Sequence, residues 1–398
     1  MANQPPNDKR TVVFPYSGTQ VGGSYVSSAM VAGYINSRPG WRAMVCLPKA
    51  GENAALFEAN GLEPDFLDVP GRLVEGLVAW RIRYTFGIQV RLFRLALNYL
   101  SARKPDLVHV NDSTTALSWA SAAKYLGVPV IQHIRMEAPG KLDRLTLFLS
   151  DYLIFVAAAN RVRFQGRENL PASSVIYNPV NFAEFYPPED RASYKARFEL
   201  DPGKLTIGFV GNLAPRKRPE WAVQAAIDLL GQGREVQLVV VGKDKKYGYL
   251  PRLRKMVRDA GVSSHIHFLG ARNDVPDLMR SFDILLLTSQ VRGEAFPRAV
   301  IEAMASGVAV VATRVAGVPE AISDGVTGLL TDPHDYRDLV RAINSLIKDG
   351  PARQAMADRA FCDARERFSV ERCGERTLEV YQEVLSRRAQ RGRRRITS

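Results

Sequence analysis

The sequence predicts an α/β protein with two doubly wound, parallel-sheet domains in tandem. Short apolar runs alternate with segments of helical length from one end of the chain to the other. Such alternation is typical of β-α-β units and a parallel sheet. A polar, proline-bearing stretch at 186–204 interrupts the pattern once. The chain has 398 residues, which is enough for two or three domains of ordinary size.

Six short apolar runs in the first half predict buried strands. These runs are 11–17, 42–47, 106–111, 129–134, 151–157 and 174–178. Segments at 24–37, 81–103 and 114–126 have helical length and lie between them. We therefore assign residues 1–190 to an N-terminal domain.

The alternation restarts after the turn signal Asp201-Pro202-Gly203. Predicted strands occupy 205–210, 236–241, 266–269, 283–288 and 308–312. Predicted helices occupy 219–230, 250–260, 275–281 and 297–306. We assign residues 200–370 to a C-terminal domain and treat the interrupted stretch as a linker.

The end of the chain is predicted to be helical. Apolar residues recur at helical spacing in 335–348, 351–367 and 370–386. The last twelve residues, 387–398, contain six arginines and no acidic residue. A run of like charges favours a solvated, disordered tail there.

Charge and cysteine content narrow the class of protein. The formal net charge is +13, which favours acidic partners such as phosphorylated substrates or anionic lipid. Three cysteines without a C-x-x-C pair argue against a disulfide framework or a structural zinc site. No apolar run approaches the ~20 residues that span a bilayer. We expect a cytoplasmic protein that meets a membrane only peripherally, on its inner face.

The strongest candidate site runs from Glu294 to Glu302, after a predicted strand. Pro297 suits the first position of a helix. Backbone N–H groups beside Phe296 and Arg298 would then form a helix N-terminus, which suits a diphosphate. A carboxylate on such a helix can accept hydrogen bonds from vicinal hydroxyls, as on a ribose. The alternative is a surface loop that leads into an ordinary core helix.

A second candidate site is the basic loop at 208–219. Arg216, Lys217 and Arg218 follow a predicted strand and a glycine turn. Cations at a strand-to-helix junction suit phosphate oxygens. A solvated basic loop is the alternative interpretation.

The N-terminal half offers weaker signals. Gly22 and Gly23 follow the first strand and open a helix, but their spacing is not G-x-G-x-x-G. His133 ends a buried strand, where ligands bind in such sheets, although a structural histidine fits there too. His109 lies within its strand and is interpreted as structural. No D-x-D sequence occurs, so no metal site is expected.

These residues together resemble a known family. The C-terminal half resembles the retaining GT-B glycosyltransferases of the family 4 type, also described as glycosyl transferases group 1. Glu294 and Glu302 match its E-x7-E motif, and the run 303–328 is similar throughout. The resemblance is strong from about 205 to 332 and weak in the N-terminal half. It implies two Rossmann-like domains facing a central cleft, with the last helix, 371–386, crossing back to the first domain.

The resemblance also implies roles for individual residues. His133 would lie near the reacting carbon of the sugar, Lys217 would neutralise the diphosphate, and Glu294 would contact the donor sugar. Glu302 would bind the ribose. The further donor-binding positions that it implies are Gly22, Gly23, Asn212, Arg216, Val275, Phe296, Pro297 and Arg298.

Two positions depart from the family pattern. Asn212 stands where the family usually has arginine, and Arg216 or Arg218 would have to supply that charge. Asn160 stands where serine is common.

The function implied is transfer of a sugar, with retention and without a metal, from a UDP- or GDP-linked donor. The acceptor would be a glycan or a lipid-linked molecule in bacterial cell-surface polysaccharide or glycolipid biosynthesis. No cofactor is expected. The alternatives are a nucleotide-sugar 2-epimerase of the same architecture and an NAD-dependent oxidoreductase. Nucleic acid is not an expected partner, because the basic residues form no recognisable binding module.

Segment 81–104 is rich in cations and has no acidic residue. Apolar side chains lie between its cations Arg81, Arg83, Arg91, Arg94, Arg103 and Lys104. This segment and the arginine tail could bind an anionic membrane surface. The alternative is a helix that packs on the sheet and exposes a basic side.

Overall fold

A computed structural model of the protein describes most of the chain. The described residues are 9–16, 22–67, 81–111, 116–137, 139–140, 142–244, 248–291 and 294–396. The chain divides into two compact units. The first unit comprises Met1–Val156, Asn160–Pro179 and Val370–Ser398, and the second comprises Ala157–Ala159 and Val180–Ser369.

The first unit is built on a seven-stranded sheet whose paired strands all run parallel. Its order is β3-β2-β1-β4-β5-β6-β7. The strands are β1 Arg10–Pro15, β2 Trp41–Leu47, β3 Asp65–Phe66, β4 Leu107–Val110, β5 Val130–Ile134, β6 Tyr152–Phe155 and β7 Ala172–Val175. The central strands are apolar along most of their length because helices cover both faces of such a sheet.

Helices connect these strands. They are α1 Gly23–Asn36, α2 Glu52–Glu58, α3 Arg81–Arg103, a π-helical turn Ala116–Ala120, α4 Ser121–Tyr125, α5 Asp143–Leu149 and a 3₁₀ segment Ala158–Phe164. The predicted helix at 114–126 is thus two short pieces, and its first residues, like Ser17 of the first predicted strand, lie outside the described residues.

The second unit repeats the layout with six parallel strands in the order β10-β9-β8-β11-β12-β13. The strands are β8 Leu205–Val210, β9 Val236–Val241, β10 Ile266–Gly270, β11 Ile284–Leu287, β12 Ala309–Thr313 and β13 Leu329–Thr331. All six residues of β9 are buried, as expected for a strand inside a sheet that is covered on both faces.

Helices of the second unit begin before the first of its strands. They are α6 Arg191–Arg197, a 3₁₀ turn Pro215–Lys217, α7 Pro219–Gly231, α8 Tyr249–Asp259, a 3₁₀ turn Ser263–His265, α9 Val275–Arg280, α10 Arg298–Ala305, α11 Val318–Ala321, α12 Tyr336–Lys348 and α13 Gly350–Phe368.

The last helix, α14 Val370–Ile396, belongs to the first unit. Its Cys373, Val380, Tyr381 and Val384 are part of the buried core beneath β1 and β2. Close packing against α1 requires Gly374, since a Cβ atom there would lie 2.2 Å from the Tyr34 ring. The prediction that the last helix packs on the first domain is therefore confirmed.

Three sequence predictions need correction. The division between the units falls at Pro179–Val180, not between 190 and 200. The supposed linker is ordered: Arg191 of α6 donates to the carbonyls of Phe282 and Gly307. The last helix does not end at 386 and continues to Ile396, so residues 387–396 are not a disordered tail.

The fold class itself is confirmed. Each unit is a doubly wound, Rossmann-like parallel α/β domain, as the GT-B architecture requires. The three cysteines are free thiols, two of them buried. Among the helices that the structure describes, none combines the length and apolarity needed to cross a bilayer.

Candidate functional site

The candidate site of the second unit centres on Glu294. Its Oε1 atom accepts a bond from Lys217 Nζ and one from Ser289 Oγ, the latter 2.7 Å away. The Lys217 side chain is only 14% exposed and that of Glu294 only 8%. Because water is largely excluded from this ion pair, its charges act more strongly than an exposed pair would.

Two loops that follow adjacent strands hold this ion pair. The Thr288 hydroxyl, just after β11, lies 2.8 Å from the carbonyl oxygens of both Lys217 and Arg218. The backbone N–H of Gln290 donates to the carbonyl of Arg216 at 2.8 Å. The β8 and β11 loops are therefore bonded to each other at the carboxyl edge of the sheet, where ligands bind in this fold.

Helix α10 carries the second carboxylate of the motif. Glu302 Oε1 accepts bonds from Arg298 Nη2 at 2.5 Å and Nε at 3.1 Å. Pro297 is the N-cap residue, with φ −84° and ψ 100°, and the helix begins at Arg298. The prediction that Pro297 is the first helical residue was wrong, since its backbone is still extended.

The loop before α10 is tightly packed. The buried Phe296 ring lies 5.5 Å from that of Phe368. A Cβ atom on Gly317 would lie 2.3 Å from the Ala295 carbonyl oxygen. Gly317 thus allows the loop to sit directly against the backbone that leads into α11.

The structure distinguishes the two arginines proposed to replace the charge absent at Asn212. Arg218 Nη1 donates to the Pro333 carbonyl at 2.5 Å, and its guanidinium lies 4.4 Å from the Trp221 ring centroid. Arg216 is exposed and lies beside Lys217 in the 3₁₀ turn. Arg218 is thus held by contacts within the second unit, whereas the Arg216 residue is exposed.

Val275 begins α9 and is half-buried. The neighbouring Arg272 forms a two-point ion pair with Asp274, at 2.8 and 2.5 Å. This pair orders the turn before α9.

In the first unit, His133 is the second-to-last residue of β5, and its ring contacts that of His109 in β4. His133 Nδ1 lies 3.2 Å from His109 Nε2 and 3.3 Å from Arg135 Nη2. Burial, and then the charge of Arg135, lower the pKa of His109 to about 3 and that of His133 well below its usual range. Both rings are therefore neutral near pH 7.

Arg135 joins several polar residues at the carboxyl edge of this sheet. It donates to Asn178 Oδ1 at 2.8 Å and to Asn111 Oδ1 at 3.1 Å. Sequence reasoning did not single out Arg135 or Asn111. Their position could have indicated them, since Asn111 directly follows β4 and Arg135 directly follows β5.

Gly22 and Gly23 form the start of α1. Gly22 is the N-cap, and its carbonyl accepts from the N–H of Tyr25 at 2.9 Å. Residues 17–21, which complete the predicted glycine loop, lie outside the described residues, as does Gly293 before Glu294. Within the described part of the chain, no group of three or more His, Cys, Asp or Glu side chains is placed to hold a metal ion.

The arrangement in the second unit can bind an anion and a polyol together. A largely covered lysine, an exposed guanidinium and a helix N-terminus favour phosphate oxygens. Two carboxylates eight positions apart can accept bonds from hydroxyl groups.

The second unit resembles a known family of enzymes. Residues 190–361 match the family described as glycosyl transferases group 1. A D-inositol 3-phosphate glycosyltransferase of Mycobacterium sp. (strain KMS) is 33% identical over 186 residues, which are 46% of this chain and 41% of that protein. The chain thus matches less than half the length of that relative.

Solved structures share the fold over nearly the whole chain. The Anabaena protein HepE in complex with UDP is 22% identical, with a TM-score of 0.77, covering 94% of this chain and 100% of that one. A glycosyltransferase from Rickettsia africae is 17% identical, with a TM-score of 0.80, covering 95% and 99%. At these identities the likeness concerns the fold.

Proposed function

Because residues 190–361 match the glycosyl transferases group 1 family, we propose that the protein is a retaining glycosyltransferase. It would move a sugar from a nucleoside diphosphate sugar, UDP- or GDP-linked, to a glycan or lipid-linked acceptor. Cell-surface polysaccharide or glycolipid biosynthesis in a bacterium is the pathway class that we propose.

The observation that carries the proposal is the position of Lys217. Its side chain is only 14% exposed, its ammonium group is bonded to Glu294, and it lies beside the exposed Arg216. A positive charge fixed in this way can stabilise a leaving diphosphate without reorganising during the reaction. In this role Lys217 also supplies the charge that a metal ion would otherwise supply, which supports a metal-independent reaction.

Retention would follow from a front-face displacement. The bond between the anomeric carbon and the diphosphate oxygen breaks as the acceptor oxygen approaches from the same side. The acceptor proton passes to the leaving diphosphate. Glu294 Oε1 accepts bonds from Lys217 and Ser289, which fits a role in positioning the donor, and the front-face route needs no covalent intermediate on this residue.

Donor binding can be measured by thermal unfolding. We expect UDP or GDP to raise the unfolding temperature equally with and without EDTA. A ligand at 100 times its Kd adds about 2.7 kcal/mol to stability, which is readily detected. Stabilisation by NAD(H) alone would support the oxidoreductase alternative, and loss of the effect in EDTA would contradict metal independence. A stabilising donor that is consumed only when an acceptor is added would exclude the 2-epimerase alternative.

Membrane association would be electrostatic. In α3, Leu92, Ala96 and Leu100 are buried, whereas Arg91 and Arg94 are exposed. The apolar side of this part of the helix is thus already used in packing, so binding to a membrane would rest on the exposed arginines and not on apolar insertion. The side chains of 81–86, 88 and 391–398 lie outside the described residues.

We therefore expect sedimentation with vesicles that contain anionic lipid at low salt, and release at about 0.5 M salt, where charges are strongly screened. Neutral vesicles are the control. Binding that persists at high salt would indicate apolar insertion instead, and absence of binding at low salt would contradict peripheral localisation on the inner face of the membrane.

A further inference from the structure

A chain of buried hydrogen bonds joins the last helix to His133. Tyr381 of α14 places its hydroxyl 2.6 Å from His109 Nδ1, and His109 Nε2 lies 3.2 Å from His133 Nδ1. The three side chains are 0%, 1% and 7% exposed, in that order. All of them belong to the first unit.

The donor and the acceptor of each of these hydrogen bonds follow from the chemistry of Arg135. Arg135 can only donate, so His133 Nδ1, 3.3 Å from its Nη2, is an acceptor. A neutral His133 then carries its proton on Nε2. His109 Nε2 faces the same acceptor and must donate to it. His109 Nδ1 is therefore unprotonated and accepts the hydroxyl proton of Tyr381.

The series of hydrogen bonds from Tyr381 through His109 ends at His133 Nε2. This atom is buried and has no hydrogen-bond partner among the described residues. A buried donor without a partner is costly, so the site gains from a ligand that presents an acceptor oxygen there.

We propose that Tyr381 is a positioning residue that, through His109, fixes His133 as the Nε2–H tautomer and offers this N–H to an oxygen of the bound sugar nucleotide. The identity of the ligand rests on the function proposed above. The tautomer of His133 does not, and it can be measured in the protein alone.

The test is Tyr381→Phe, which removes the hydroxyl and keeps the ring that packs on Trp41 at 5.6 Å. Tyr152→Phe is a matched control. The Tyr152 hydroxyl bonds Ser174 at 2.8 Å and Glu383 of α14 at 3.3 Å, so this change also removes a hydroxyl between α14 and the sheet, but one without a bond to a histidine.

Histidine tautomers would be read by ¹⁵N NMR of the full chain, which has five histidines. We expect wild type and Tyr152→Phe to show His109 and His133 as Nε2–H tautomers. In Tyr381→Phe, His109 should shift toward Nδ1–H, so that its Nε2 no longer donates to His133 Nδ1. Arg135 still donates there, and His133 should therefore change only in part to the Nδ1–H tautomer. Transfer should fall about three- to tenfold in kcat/KM, the equivalent of one hydrogen bond. In a His133→Ala background, Tyr381→Phe should have no further effect.

Unchanged histidine signals in Tyr381→Phe would overturn the proposal. So would an equal loss of transfer in Tyr152→Phe, because the effect would then be one of helix packing. If wild type shows the expected tautomers but no transfer with any nucleotide sugar, the proposed function fails while the hydrogen-bond chain stands.

Discussion

Replacement of Lys217 by methionine is expected to lower the rate of sugar transfer about 10²–10³-fold, the usual effect of removing one contact to a developing negative charge. Methionine keeps much of the apolar stem and removes the charge beside Glu294. The loss should appear in kcat, because the charge acts mainly on the leaving diphosphate. Single-turnover kinetics with donor and acceptor would measure it.

Lys204→Met is the matched control. Lys204 lies in the same unit and pairs with Asp201 at 3.3 Å, but its side chain is 29% exposed and that of Asp201 is 48% exposed. Such surface pairs contribute little, so transfer should be unchanged. Near-normal turnover in Lys217→Met would remove this residue from the reaction and with it the main support for metal independence.

Gly317→Ala should weaken donor binding about 100-fold without unfolding the protein. The added Cβ would lie 2.3 Å from the Ala295 carbonyl oxygen and 2.8 Å from the Ala157 Cβ. Gly317 has φ −79°, which alanine adopts readily, so the effect is a local clash. It displaces the loop between Glu294 and Phe296. A displacement of about 1 Å in a positioned site can cost 10²-fold in reaction rate, and we expect a loss of similar size in donor affinity.

Gly231→Ala provides the comparison, since its Cβ would meet nothing within 4 Å at the end of α7. Alanine is favoured over glycine in helices, so unchanged nucleotide affinity and slightly higher stability are expected. Titration calorimetry with UDP and GDP would measure both variants. Wild-type affinity in Gly317→Ala would show that the Glu294 loop tolerates movement or does not contact the donor.

Most strands of both sheets could be predicted from the sequence, because central strands are buried on both faces and therefore continuously apolar. The predicted and observed bounds of β8 and β9 are identical. Strand β3 has only two residues and β13 only three, which is too short for any periodic signal. The predicted boundary between the units was misplaced because α6 is polar and short and therefore resembles a linker. In the structure, Arg191 of α6 donates to the carbonyls of Arg280 and Gly307, which are far along the chain.

The sequence was enough to select individual residues of the candidate site, but it did not predict which of them contact each other. Glu294 and Lys217 stand out because each follows an apolar strand, yet they are 77 positions apart. Only the sheet order, which places β8 next to β11, brings them together. Likewise, nothing near His109 in the sequence points to Tyr381, 272 positions away, and the structural interpretation of His109 missed this connection.

The discontinuity of the first unit has a consequence for synthesis on the ribosome. Its early segments leave the ribosome before the helix that completes their core, and about 190 residues of the second unit lie between. At 5–20 residues per second this interval lasts roughly 10 to 40 seconds. During this interval the apolar face around Tyr34 and Trp41 is not yet covered by α14. Chaperones that bind exposed apolar surface therefore have time to act on the nascent chain.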